Sequence, residues 1–134
     1  MSRKKLKQLF LHIGGEPRLQ QILEDFYDRM SKDVLIGYFF TGKDTRQIAR
    51  QQLGFLLQAM GASTTYAGKP PTQAHGNLPP ILAGHFDRRI ILLSETLRDH
   101  GLSDSDAKTW INFEKAFRKA IIVSEKSSKH NPEE

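Results

Sequence analysis

A chain of 134 residues with 38% hydrophobic and 26% charged residues has the length of one domain and the balance of a soluble globular protein, able to bury roughly two thirds of its unfolded surface. It contains no cysteine, which excludes disulfides, thiolate zinc sites and cysteine nucleophiles and leaves histidine, carboxylate, tyrosine or methionine as metal ligands. The formal charge of +5 invites a nucleic-acid partner, yet Arg3, Lys4, Lys5, Lys7, Lys126 and Lys129 lie in the two ends, where charge ordinarily serves solvation.

No apolar run nears the ~20 residues of a membrane span, and the short Leu/Phe patch after the basic start is no signal-peptide core. The expectation is a cytoplasmic protein with no membrane or nucleic-acid partner. Residues Leu6 to Ile13 form a short apolar-rich segment, closed by a corner at Gly14-Gly15. From Pro17, Leu19, Ile22, Leu23, Phe26, Tyr27 and Met30 recur on one helical face, predicting a helix over 17–31. Glu16 and a first-turn proline favour its start. Val34 to Phe40 is too short for a long helix and reads as a tight turn holding the aromatics Tyr38-Phe39-Phe40 inward.

With Asp44 or Thr45 as cap, a second helix is predicted over 45–60, its stripe running Ile48, Gln52, Leu53, Phe55, Leu56, Ala59 and Met60 until Gly61 stops it. Gln52 is out of place on an apolar face, since a buried amide without partners costs about 1–3 kcal/mol. After a long irregular stretch, Phe86, Ile90, Leu93 and Leu97 mark a helix over 84–100, apolar over an arc broad enough to make it the most buried. A last helix is predicted over 104–123, started by Ser103 or Asp104 and carrying Trp110, Phe113 and Phe117. The tail after Ser124 is polar and aperiodic and reads as frayed. No strand pattern or linker is present, so the fold class is all-α, a single domain with its core in about 6–123.

The stretch Thr65 to Leu78, with Gly68, Pro70-Pro71 and His75, cannot be a long helix. Compact domains seldom keep such a connection without a functional reason, and this one carries an imidazole able to bind metal. Periodicity alone does not separate a plain bundle from a cofactor pocket. Tyr27, Gln52 and His75 at inward positions suit one bound group, with the imidazole on a metal and the other two donating to its ligand. By themselves a loop histidine is more often a cap and an inward tyrosine more often core. A hydrolytic site using His75 with Asp87 or Glu95 lacks a nucleophile or paired carboxylates. His85 reads as structural or capping; Phe26, Phe55, Phe86 and Trp110 read as core.

Taken in order, Ile13-Gly14-Gly15, Phe26-Tyr27-Asp28-Arg29, Phe39-Phe40-Thr41-Gly42, Tyr66-Ala67-Gly68, Ala74-His75 and His85-Phe86-Asp87 resemble the truncated haemoglobins, most like their group I, over nearly the whole chain. The resemblance implies a two-over-two helical sandwich enclosing haem b (iron protoporphyrin IX), with His75 as the proximal metal ligand. It further implies that Phe40, Phe39, Ile48 and Tyr66 line the cofactor, and that Tyr27 and Gln52 face the ligand. Ligands would be dioxygen, nitric oxide or carbon monoxide, bound reversibly for storage, transport or nitric oxide oxidation, the last with an external reductase. A monomer or weak dimer is expected. Gln51 stands where relatives often carry a basic propionate contact, which leaves Arg46, Arg50 or Lys69 for that role. It also removes the histidine that some relatives use as sixth ligand, implying an open or water-bound distal site. Pro71 replaces a methionine that often lines the haem. The competing reading is a helical interaction module with basic tails and no haem.

Overall fold

The computed structural model describes residues 3–62 and 81–118. They form five α-helices, α1 (Arg3–Ile13), α2 (Glu16–Ser31), α3 (Thr45–Ala59), α4 (Ala83–Asp99) and α5 (Asp104–Lys115), with one 3-10 turn at Gly37–Phe40 between α2 and α3. There is no strand among the described residues. Helix α2 is the hub: it packs on α1, α3, α4 and the 3-10 turn, while α5 rests on α4 and α1.

The helices predicted over 17–31, 45–60 and 84–100 return with ends shifted by at most a residue. The segment Leu6 to Ile13, read only as apolar-rich, is the helix α1. Its buried positions Leu6, Leu9 and Ile13 fall three and four residues apart and form the face laid on α2 and α5. The corner after it needs glycine, because Gly14 and Gly15 have φ of 109° and 88°, where side chains are strained. Helix α3 begins on Asp44, whose carboxylate accepts from the N–H of Arg46 and Gln47 at 3.0 and 3.4 Å, and α5 begins on Ser103, whose hydroxyl accepts from Asp106 N–H at 3.1 Å.

Three expectations change. The most covered helix is α2, which buries Leu19, Ile22, Leu23, Phe26, Tyr27 and Met30. Helix α4 gives part of its broad arc to solvent, with Ile91 49% exposed, and part to two arginines. Helix α5 is regular only to Lys115 and turns at 116–117; residues 119–123 of the predicted helix, and the tail, lie outside the described residues. The turn 37–40 holds Phe39 inward but leaves Tyr38 at the surface, half exposed, stacked on Phe39 with ring centroids 4.3 Å apart.

Candidate functional site

The wall of the candidate pocket is built by α2, the 3-10 turn and α3. On α2, Phe26 and Tyr27 are buried and their rings meet at 5.5 Å between centroids. The 3-10 turn brings Phe40 edge-on to Tyr27, with centroids 6.1 Å apart and planes at 75°, a favoured aromatic arrangement. This close approach depends on Gly37, where a Cβ would stand 2.7 Å from the Ser31 carbonyl oxygen. Phe39 is buried beside it. On α3, Ile48 and Gln52 are four residues apart and share one face; both are half-buried, and Ile48 packs against the core cluster that contains Tyr27.

So four of the residues singled out in sequence, Tyr27, Phe39, Phe40 and Ile48, belong to one apolar cluster, with Gln52 one turn along from Ile48. Gln52 makes no hydrogen bond to another described residue. The expected partner for its amide is therefore not supplied by the described chain. His75, Tyr66, Lys69 and Pro71 lie outside the described residues. Arg46 and Arg50 are exposed on α3, on a helix that borders the site.

The electrostatics of the wall centre on a residue that sequence reading passed over. Arg89 of α4 lies against the back of the two rings, its guanidinium carbon 5.0 Å from the Phe26 centroid and 5.7 Å from that of Tyr27. Its Nε and Nη2 donate to one carboxylate oxygen of Glu114 at 3.1 and 2.6 Å, and its Nη1 points at the Met30 sulfur, 3.6 Å away. The two side chains are only 16% and 7% exposed. Burial opposes the Arg89 charge, but the facing Glu114 carboxylate more than compensates and keeps the guanidinium protonated. Burial pushes the Tyr27 hydroxyl's pKa upward, only partly opposed by Arg89, so the phenol is neutral at physiological pH and able to donate. Sequence shows an arginine on the apolar arc of α4 and a glutamate beside Phe113 on α5, but nothing in it joins the two.

A sequence model of the bacterial-like globin family matches residues 8–123. The chain belongs to the bacterial-like globins. Within them it is similar to the group 1 truncated haemoglobins: 30% identical over 99 residues to LI410 of Chlamydomonas moewusii, covering 73% of this chain and 58% of that one. To GlbN of a Nostoc species it is 26% identical over 117 residues, 87% of this chain and 98% of the relative. The chain thus spans little more than half the length of the algal relative and nearly all of the cyanobacterial one. The truncated haemoglobin of Tetrahymena pyriformis, solved in an Fe(III) form, superposes with a TM-score of 0.77 at 27% identity, over 85% of this chain and 97% of that one. The 2/2 haemoglobin of a Synechococcus species, solved with covalently attached haem, has the same fold, with a TM-score of 0.75 at 21% identity over 85% of this chain and 97% of that one.

The fold of this globin is therefore the two-over-two helical sandwich, and the family carries with it haem and the binding of a small diatomic ligand at its iron. The described residues fit such a group. Tyr27, its ring against Phe26 and Phe40 and its hydroxyl protonated and without a described acceptor, leaves a hydrogen-bond donor to offer to a ligand. The two-over-two expectation and the globin resemblance both stand. Among the described residues no helix is long and apolar enough to cross a membrane.

Proposed function

We propose that this globin binds haem b, that His75 would hold its iron, and that Tyr27 and Gln52 would act as hydrogen-bond donors to a dioxygen ligand. The haem, when bound, supplies an iron at which diatomic ligands bind and electrons are exchanged. The observation that carries the reading is Tyr27, buried with its ring against Phe26 and Phe40, its phenol kept protonated by burial and without a described acceptor. Phe39, Phe40, Ile48 and Tyr66 line the cofactor and keep water from the ligand, and Arg46, Arg50 or Lys69 meet its propionates.

The Tyr27 phenol would donate a hydrogen bond to the ligand and slow its departure. Hydrogen bonds to charged groups contribute about 1.5–3 kcal/mol, equivalent to roughly tenfold to hundredfold in a dissociation rate. Slow release suits chemistry on held oxygen better than delivery of it. The reaction we favour is oxidation of nitric oxide to nitrate, a turnover that would need dioxygen and an external electron donor. Oxygen storage is the second reading, served by the same retention.

Protein produced with a supply of haem should be red with a Soret band; a colourless product that takes up no haemin would sink the reading. His75→Gly should lose haem unless imidazole is added. Tyr27→Phe should release oxygen roughly tenfold to hundredfold faster by stopped-flow, and an unchanged rate removes Tyr27 from this role. Mixing the oxygenated protein with nitric oxide and measuring nitrate distinguishes oxidation from storage.

A further inference from the structure

The outer face of α3 carries positive charge that nothing among the described residues answers. The helix contains Arg46 and Arg50 and no acidic residue. Lys43 precedes it, and all three cations are exposed. By contrast, Lys32 pairs with Asp28, Arg29 with Asp25 and Asp99, and Arg88 with Asp33. Lys43, Arg46 and Arg50 form no ion pair and no side-chain hydrogen bond with a described residue. The one carboxylate at hand, that of Asp44, is engaged by the N–H of Arg46 and Gln47 as the helix cap.

The arrangement is unfavourable in the free protein. Arg46 and Arg50 stand four residues apart, one above the other on the helix, where like charges repel. Arg46 also lies in the first turn, the end at which a helix disfavours cations. A propionate contact would engage one of these cations and leave the others in water.

The position of the face indicates what it meets. Ile48 and Gln52 each follow an arginine of the stripe by two residues and so lie about 200° around the helix from it. Helix α3 therefore turns its half-buried side to the candidate pocket and its cations outward. A partner seated on the cations is separated from the pocket wall by the thickness of one helix, about 10–12 Å. We infer that the outer face of α3, with Lys43, Arg46 and Arg50, is the docking surface for an acidic protein that delivers single electrons. The donor's reduced centre loses one electron and the ferric protein gains it; no proton or group is transferred. This rests on the nitric oxide turnover proposed above, which needs such a donor. A nucleic acid is commonly held by about 6–10 phosphate contacts, more than three cations supply.

The test mixes haem-loaded ferric protein with reduced plant-type ferredoxin, an acidic one-electron donor, in a stopped-flow instrument. The second-order rate constant should fall roughly tenfold between about 20 and 200 mM salt, as steered association does. Lys43→Glu combined with Gln47→Glu should cut the low-salt rate roughly tenfold and flatten its salt dependence. The pair should fold normally, because Gln47→Glu sets a carboxylate three residues after the Asp44 cap, a favourable placement. Gln47→Lys, which adds a cation beside Arg46 and Arg50, should raise the low-salt rate. Reduction by photochemically generated lumiflavin semiquinone, small and uncharged, should be equal in all three proteins. Backbone amide shifts on adding ferredoxin should gather at residues 43–51. A rate indifferent to salt and to both variants, an equal loss with lumiflavin, or amide shifts on another face overturns the proposal. So does a DNA duplex that binds this face more tightly than ferredoxin at about 150 mM salt. A protein that takes up no haem marks failure of the functional reading, and the amide shifts still judge the docking face.

Discussion

Arg88 and Arg89 are adjacent on α4 and chemically identical, yet they meet opposite surroundings. Arg88 lies on the seam of the molecule, 31% exposed, and donates through Nε and Nη2 to the Asp33 carboxylate at 3.0 and 2.7 Å. That carboxylate also caps the turn after α2, accepting from the N–H of Leu35 and Ile36. A little further along, Asp25 and Arg29 of α2 pair with each other and reach His100 and Asp99 at the end of α4, while Arg18 donates to the His100 carbonyl. These contacts staple two helices at their wet margin. Arg89, one residue on and about 100° around the helix, enters the aromatic wall and takes Glu114 with it. The difference teaches that helical phase, more than residue type, decides whether an arginine is a staple at the seam or a buried partner in the core.

The comparison is open to direct attack, and the strongest blow is to the inner pair. Arg89→Met alone leaves Glu114 buried without its partner and should cost about 3–5 kcal/mol in chemical denaturation. Adding Glu114→Met should restore stability to within about 1 kcal/mol of the native protein or exceed it. A single variant as stable as the pair would mean that Glu114 finds water, and that the inner site is not dry. On the seam, Asp25→Asn should cost only about 0.2–1 kcal/mol at neutral pH, as partly exposed ion pairs do.

The smallest effect is the acid dependence of the seam. Burial raises the Asp25 pKa, but hydrogen bonds from Arg29 and His100 outweigh it, and Arg88 lowers that of Asp33. Both folded values thus lie below the unfolded ones, so their stabilisation is complete above about pH 4 and fades as pH falls through the lowered values. Native protein should therefore lose more stability between pH 5 and pH 2 than a variant carrying both Asp25→Asn and Asp33→Asn. Denaturation midpoints at the two ends of that range measure the difference, and parallel losses would assign acid sensitivity elsewhere.

Much of this was legible in the sequence because the signals were periodic. Helices α2, α3 and α4 declare themselves through apolar stripes longer than three turns, and Gly, Pro, Asp44 and Ser103 punctuate them. Helix α1 was harder to see: its stripe is just Leu6, Leu9 and Ile13 among lysines, and only packing on α2 and α5 completes it. The candidate pocket residues Tyr27, Phe39, Phe40 and Ile48 were singled out by likeness to a family, and the fold gathers them into one cluster. The fates of Tyr38 and Arg89 were not legible, because both depend on the third dimension. Tyr38 needs His85 at 3.3 Å to explain its outward pose, and His85 in turn caps α4 by accepting from Leu82 N–H. Glu114 stands 25 residues from its partner, a separation that no stripe encodes.

Gly37 sets a rule for anyone who would reshape this pocket. Because any side chain there would press on the Ser31 carbonyl at 2.7 Å, the loop cannot absorb substitution by small adjustments of a flexible neighbour. Phe39 and Phe40 are consequently fixed in register against Tyr27, and a library that varied Gly37 would move the whole aromatic wall at once. Under the proposed reading, diversity aimed at ligand choice belongs at Ile48 and Gln52, which share one face of α3.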